Sequence, residues 1–330
     1  MMLVGEAWGK DEEEAGEPFV GASGRILNGM LKQVGIVRKE CYLTNVFNLR
    51  PQPTNDVGNL CGPREEGIPG MPFLTAGKYV SAQYAPELQR LFAEIKRESP
   101  NVIVALGATA AWALLRTSGI RKWRGAPILS DYGKVLPTYH PAAVMRQWQL
   151  RPIVLADLAK AVRESEFPEV NRPKRKIWVE PDLDDMTNFY YMHIKPSPAL
   201  SIDIETIGDM ITCVGFAPTI DRAICIPFFD ESKPGKNYWP TFEQEREAWD
   251  YVRYFCSLKK RIVFQNGLYD MNFLWRTMGI TVPHATDDTM LLHHALQPEL
   301  EKGLGFLGTI YTDEAQWKFM RKNATIKKED

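Results

Sequence analysis

The chain has 330 residues, with 40 Lys and Arg against 41 Asp and Glu and a formal net charge of -1, which excludes holding nucleic acid by bulk charge but not by local basic patches. Its 45% hydrophobic and 25% charged residues exclude a largely disordered chain, and the length suits two domains, since one core rarely grows past roughly 250 to 300 residues. No apolar run approaches the ~18 residues of a membrane helix, nor does the N-terminus read as a signal peptide. The cysteines, Cys41, Cys61, Cys213, Cys225 and Cys256, are odd in number and never paired as CxxC. They predict a reduced compartment without disulfides or a zinc ribbon.

In chain order, residues 1–4 read as a short buried strand running into a turn at 5–9, with no room for a lead-in segment before it. Ser23 fits a helix N-cap, followed by Ile26, Leu27, Met30, Leu31 and Val34 on one face and Gly35 as the stop. Residues 41–47 predict a second strand. The stretch 50–77, rich in Pro, Gly and Asn, reads as a long irregular loop, a length that is usually functional or mobile. A helix opened by Pro86 runs to Ile95. Residues 102–107 form a continuous apolar strand closed by glycine, as in a parallel sheet buried on both faces. A helix over 108–115, strands near Ile128 and at 135–137, and a helix opened by His140 and Pro141 complete an α/β layer domain over residues 1–165.

Residues 166–175, EFPEVNRPKR, form a polar, proline-bearing linker. The pattern then restarts over 176–330. Strands are expected at 199–204, 212–217, 223–228 and 262–264, and helices at 243–255, 269–277 and 289–296. This is an α/β domain with a mixed sheet. The charged tail 318–330 is expected to fray.

Three polar clusters fall at the carboxyl ends of first-domain strands, where open α/β sheets place their ligands. They are Gly5-Glu6-Ala7-Trp8-Gly9 with Gly16-Glu17-Pro18-Phe19-Val20-Gly21, then Thr44-Asn45-Val46-Phe47-Asn48, then Thr138-Tyr139-His140-Pro141. Singly, each also fits a tight turn or a cap. In this order, and with the VIVALGATA segment at 102–110, they resemble the uracil-DNA glycosylase superfamily, closest to its family-4 branch, over residues 2–165. The resemblance implies a three-layer αβα parallel sheet and excision of uracil from DNA. Glu6 then takes the family's carboxylate position near the sugar, and His140 the position of the donor to the departing base oxygen. Phe19 stacks on the flipped base, and the Asn45 amide reads its pairing edge, a pattern that cytosine reverses. Gly5 and Trp8 line the same turn, with Trp8 where the family usually has proline. Val144, Met145 and Arg146 are positioned to wedge into the duplex gap. The loop of Arg121, Lys122 and Arg124 around Trp123 either contacts phosphates or is an ordinary solvated loop.

Family-4 enzymes usually hold an iron-sulfur cluster on four cysteines. Only Cys41 and Cys61 lie in this domain, so no iron-sulfur cluster is expected unless a longer natural chain supplies more ligands.

In the second domain, Asp203 and Glu205 alternate along a strand, so a period of two aims both at one face, away from Ile202 and Ile204. Asp270 follows Phe264-Gln265-Asn266-Gly267 at a strand end running into a helix. Oxygen-only ligation suits Mg2+ or Mn2+, and phosphodiester hydrolysis by two ions roughly 3.5–4 Å apart uses such a carboxylate ring. Asp203, Glu205 and Asp270 resemble the first two motifs of DEDD-type 3′-5′ exonucleases. The closer likeness, over 176–318, is to the proofreading domain of phage-type family-A DNA polymerases, a ribonuclease H-like fold. It implies catalytic and metal-binding roles for these three carboxylates and substrate contact by Asn266. Asp287 and Asp288 read as helix-capping residues rather than the missing acid. The family's third motif, a tyrosine followed four residues later by aspartate, is expected soon after Trp317. Tyr311 is followed at that distance by Ala315. The chain is thus expected to be either a fragment of a longer polymerase-like protein or an impaired exonuclease.

The sequence therefore predicts a DNA-processing hydrolase in the cytoplasm, the host's if phage-encoded. It would act on single-stranded or flipped uracil-containing DNA, with a downstream polymerase domain or subunit as partner and no membrane. The alternative is a catalytically inactive glycosylase-like module that tethers a replication polymerase to DNA. Trp8 and the missing cluster ligands motivate it.

Overall fold

The computed structural model describes residues 1–316. Trp317 and the charged stretch 318–330 lie outside the described residues. The described residues divide into two compact units, Met1–Asn171 together with residues 305–316, and Arg172–Leu304.

In the first unit, β1 (Met2–Ala7) is followed by α1 (Lys10–Ala15), α2 (Ala22–Gln33) and β2 (Tyr42–Phe47). A two-stranded ribbon, β3 (Cys61–Gly62) with β4 (Tyr79–Val80), clips the Pro- and Gly-rich stretch, whose Val57 and Leu60 are buried. Then come α3 (Ala85–Glu98), β5 (Ile103–Leu106), α4 (Ala108–Leu115), α5 (Ile120–Trp123), β6 (Ile128–Ser130), β7 (Gly133–Thr138), α6 (Pro141–Arg146) and α7 (Arg151–Glu164). The sheet order is β2-β1-β5-β7-β6, with every pair parallel except β6–β7.

Its strands read as unbroken apolar runs because both faces are covered. Leu3, Val104, Leu106 and Leu136 meet Leu27, Met30 and Leu31 of α2 and Val154 and Leu158 of α7. Met2, Val4, Ile103, Ala105 and Val135 face the other way, onto Leu88, Leu91 and Ile95 of α3 and Trp112 of α4. The result is three layers, αβα. Since β1 has β2 on one side and β5 on the other, the crossovers leave in opposite directions and open a crevice at the strands' carboxyl ends.

Three local expectations change. Helix α2 begins behind Gly21 rather than at a Ser23 cap, because Phe19 takes a left-handed backbone (φ 59°) and turns the chain early. Val144 is fully buried in the cluster that α6 shares with α2, so it is core and not a duplex wedge; Met145 and Arg146, the other members of that trio, are exposed. Arg124 is only 2% exposed and ion-pairs with Asp157 at 2.5 Å, so it is not a phosphate contact, although Arg121 and Lys122 beside it are exposed.

Residues 166–175 carry no helix or strand. Their first part is held by the buried Lys134 ammonium, which donates to the carbonyls of Phe167 (2.7 Å) and Glu169 (2.9 Å). The second unit contains β8 (Lys176–Trp178), α8 (Leu183–Phe189), β9 (Ala199–Ile207), β10 (Met210–Thr219), β11 (Arg222–Pro227), α9 (Phe242–Cys256), β12 (Arg261–Phe264), α10 (Gly267–Met278), β13 (Ala285–Asp288) and α11 (Thr289–Leu296). Its order is β13-β12-β9-β10-β11-β8. An antiparallel meander β9-β10-β11, extended past β9 by parallel β12 and β13, makes a mixed sheet. Ile202, Ile204, Val214, Phe216, Ile224 and Ile226 point from it into a single core.

A last helix, α12 (Leu304–Tyr311), follows. The second domain was expected to run from 176 to the end of the chain, but from Gly305 onward the described residues belong to the first unit. Thr309 and Thr312 there are bonded by the buried Arg124 and Lys160 side chains. No helix among the described residues is long and apolar enough to cross a membrane.

Candidate active site

The crevice of the first unit holds a cavity of about 420 Å³, lined by Glu6, Trp8, Phe19, Asn45 and His140 together with Gly9, Glu12, Asn55 and Arg146. The sequence motifs are thus brought together. Glu6 sits at the end of β1, and Asn45 lies in β2 beside Gly5. Phe19 belongs to the left-handed turn before α2, and His140 follows β7. Gly5 lies beneath them because nothing larger fits. A Cβ there would collide with Asn45 Oδ1 and Phe19 Cζ.

His140 caps α6. Its Nδ1 accepts from the Ala142 amide at 3.2 Å, so in the neutral ring the proton sits on Nε2. Burial, then the nearby Arg146 guanidinium, lowers its pKa to about 4. The imidazole is therefore a neutral donor over the ordinary pH range. Its ring lies 6.1 Å from that of Phe19, tilted by 30°. Burial also pushes the Glu6 carboxyl above its usual value. The Thr109 hydroxyl and the Arg146 charge pull it down, whereas Asp56 raises it. Thr109 Oγ1 donates to Glu6 Oε2 at 2.5 Å. Asn45 is 2% exposed, and its carbonyl accepts from Arg90 at 2.8 Å, which fixes the strand and leaves the amide to the cavity.

Two residues that organise the site were not singled out from sequence. Glu12 is buried and bridges both glycine segments, accepting from the Gly9 amide (3.1 Å) and the Gly21 amide (2.9 Å). It sits in an acidic run, which reads as a solvated face. Thr109 follows the strand-closing Gly107, a position that carried a signal. Trp8 holds its place through a hydrogen bond that its backbone N–H donates to the Leu49 carbonyl (3.2 Å), and its indole Nε1 is buried without a hydrogen-bond partner among the described residues.

The cysteines present do not fit a four-thiolate cluster. Cys41 packs on one face of the sheet and Cys61 on the other. Each thiol reaches a backbone carbonyl four residues back, Val37 at 3.7 Å and Val57 at 3.6 Å. Burial pushes both thiols up, away from the thiolate form.

In the second unit, Asp203 is exposed and Glu205 half-buried on the face opposite Ile202 and Ile204, as the alternation requires. Cys213 lies directly across from Glu205, so thiols share that face. Asp270 is buried on α10 and accepts from the Ile204 amide at 3.1 Å. Burial raises its carboxyl to about 6, with the Asp203 and Asp288 charges adding to the rise and backbone hydrogen bonds opposing it. The donor chemistry suits Mg2+ or Mn2+, but the geometry does not close: among the described residues, no group of three or more His, Cys, Asp or Glu is placed to hold an ion.

Asn266 is a left-handed helix-start residue (φ 62°) whose amide is bound by Asp288 Oδ1 at 3.1 Å. Asp288 also accepts from Gly267 (2.8 Å), Met290 (2.8 Å) and Leu291 (3.3 Å). Burial works against this charge, but the four amides hold its carboxyl below the usual range. It is thus a cap joining two helix starts, while Asp287 pairs with Arg261.

Residues 1–164 match the uracil DNA glycosylase superfamily. The chain is 37% identical over 166 residues to a type-4 uracil-DNA glycosylase of Thermotoga maritima, spanning 49% of this chain and 75% of that protein. It is 34% identical over 169 residues to the type-4 enzyme of Archaeoglobus fulgidus, spanning 48% and 74%. Among solved structures, similarity extends to Brucella melitensis NrnC (15% identity, TM-score 0.30, 43% of this chain and 62% of that one). It extends also to Escherichia coli RNase D, an exoribonuclease (11% identity, TM-score 0.31, 43% and 34%).

Proposed function

The chain belongs to the uracil-DNA glycosylase superfamily through its residues 1–164, and on that premise we propose that its first unit excises uracil from DNA. The observation that carries this reading is the meeting of Glu6, Phe19, Asn45 and His140 in one cavity. An extruded pyrimidine stacks on Phe19 while the Asn45 amide pairs with its N3–H and the adjacent carbonyl, which flipping exposes. As the C1′–N1 bond breaks, its electron pair passes to the base, and His140 Nε2–H donates to the pyrimidine oxygen where negative charge grows. A preplaced donor of this type is worth about 10²- to 10³-fold in rate. The Glu6 carboxylate faces the sugar cation and accepts a proton from the water that adds at C1′. Its raised pKa makes it a stronger base than an exposed glutamate.

Uracil release from single- and double-stranded oligonucleotides tests this. Equal background release by wild type, Glu6→Ala and His140→Ala would end the glycosylase reading. The second reading, a non-cleaving module that binds uracil-containing DNA, is favoured by the Trp8 indole in the cavity with its unsatisfied N–H. It predicts a gel shift without release.

For the second unit we propose a nucleic-acid-directed, exonuclease-like role centred on Asp203, Glu205 and Asp270, belonging with a family-A polymerase. The Asp203 charge beside the raised Asp270 carboxyl supports it, since a divalent cation would relieve that conflict. The described carboxylates do not complete an ion site, so no hydrolytic step is assigned to them.

A further inference from the structure

Apart from the cavity, the first unit contains a buried polar chain in which Asp157 is the hub. Asp157 is fully buried and Arg124 2% exposed. Asp157 Oδ1 accepts from Arg124 Nη2 at 2.5 Å, and Oδ2 accepts from Arg124 Nε at 3.0 Å and from Thr138 Oγ1 at 2.7 Å. Arg124 Nη1 donates to Thr309 Oγ1 at 2.6 Å, 185 positions later in the chain. Lys160 donates to the carbonyls of Gly125 (2.8 Å), Thr309 (2.7 Å) and Thr312 (2.5 Å). Arg163 pairs with Asp313 at 2.5 Å. Gly125 has φ 79°, and a Cβ there would come within 2.6 Å of the Thr309 carbonyl oxygen and 2.8 Å of Asp157 Oδ1, so the sequence leaves room for the docked backbone.

Burying a guanidinium, an ammonium and a carboxylate costs several kcal/mol unless each finds partners. The segment 305–313 supplies one partner to Arg124 and two of the three to Lys160. At the other end of the chain of bonds, Thr138 closes β7 two residues before His140. Its carbonyl accepts from the Gly107 amide at 2.8 Å, and Gly107 packs so closely on His140 that a Cβ there would lie 3.0 Å from the imidazole's Cβ.

We propose that residues 305–313 are a latch that holds the His140 loop in register, with Asp157 as the positioning residue that passes the constraint from Thr309 through Arg124 to Thr138. The glycosylase unit is then discontinuous, completed by a segment that lies beyond the second unit in sequence. The catalytic consequence rests on the glycosylase reading; the structural one does not.

The test uses the full chain. Thr309→Val removes the hydroxyl but keeps the shape and the carbonyl that Lys160 binds, and Thr309→Ser restores the hydroxyl. Loss of the Arg124 hydrogen bond, worth about 1 to 1.5 kcal/mol, along with the hydroxyl's own bond to the Phe306 carbonyl (2.7 Å), should raise amide exchange over residues 138–143 roughly five- to tenfold and lower kcat for uracil release by a similar factor, with KM unchanged and Thr309→Ser rescuing both. Asp157→Asn, a second variant, should show the same split more strongly. Wild-type exchange over 138–143 in a folded Thr309→Val or Asp157→Asn protein overturns the latch. Raised exchange in a chain whose wild type releases no uracil upholds the latch and removes the glycosylase reading instead.

Discussion

The Thr109 hydroxyl points at Glu6 and donates to its Oε2 at 2.5 Å, opposing the upward push that burial exerts on the same carboxyl. The end of β1 and the first turn of α4 thus set the charge of one group. Thr109→Val removes the opposing hydrogen bond, so the Glu6 pKa rises further. In the proposed glycosylase mechanism the carboxylate is the working form, so the acid limb of the kcat/KM profile should move to higher pH. An unmoved limb would show that Glu6 does not control it.

His140 works in the opposite sense. Its folded pKa of about 4 lies below the ordinary value of 6.5. Above pH 6.5 the group is neutral in both states and contributes no pH dependence. Between about 6.5 and 4 the unfolded chain takes a proton that the folded chain refuses, so stability falls with falling pH. His140→Gln should flatten that part of the stability-against-pH curve, and an NMR titration of the imidazole should show no protonation down to about pH 5. A midpoint near 6.5 would contradict the buried neutral donor.

Gly5→Ala places a methyl group where Asn45 Oδ1 and Phe19 Cζ already lie. Overpacking of this kind costs about 1 to 3 kcal/mol. Spent at the cavity, it should weaken binding to uracil-containing oligonucleotide by roughly 5- to 150-fold. Fluorescence anisotropy reads the loss, and near-UV circular dichroism checks that the core is kept.

Glu12→Ala leaves the Gly9 and Gly21 amides without their shared acceptor. The expected cost is about 1 to 3 kcal/mol, visible as a lower denaturation midpoint with an unchanged slope. Glu12→Gln should recover part of it, since one amide oxygen still accepts.

In metal-free buffer the second unit should gain stability as pH falls through about 6, because the Asp270 carboxyl is raised to that value in the fold and titrates near 3.8 when unfolded. Asp270→Asn should remove this gain. The same unit should show weak or no Mg2+-dependent 3′-end trimming, since its described carboxylates do not close around an ion. Robust trimming abolished by Asp203→Ala would show that the ion site is complete.

Much of this protein was legible in its residues. Continuous apolar runs at 102–107 and the 3.6-residue spacing of Leu27, Met30 and Leu31 locate a doubly covered sheet, because burial on two faces leaves no polar position in a strand. The alternation of Asp203 and Glu205 with Ile202 and Ile204 fixed which face carries charge. Glu6, Phe19, Asn45 and His140 were visible as strand-end groups, and the crossover geometry of a parallel sheet gathers such groups at one edge.

Tertiary structure alone decided the rest. Arg124 reads as a surface cation among Arg121 and Lys122, yet it turns inward because Asp157 and Thr309 await it 33 and 185 positions away. Glu12 is an ordinary acid in an acidic run until two glycine amides converge on it. Val144 reads like its neighbour Met145 until α6 packs against α2 and buries it. Periodicity reports what a residue does against its neighbours in the chain. A partner far away in sequence leaves no periodic trace, so charges neutralised at long range appear only once the chain has folded.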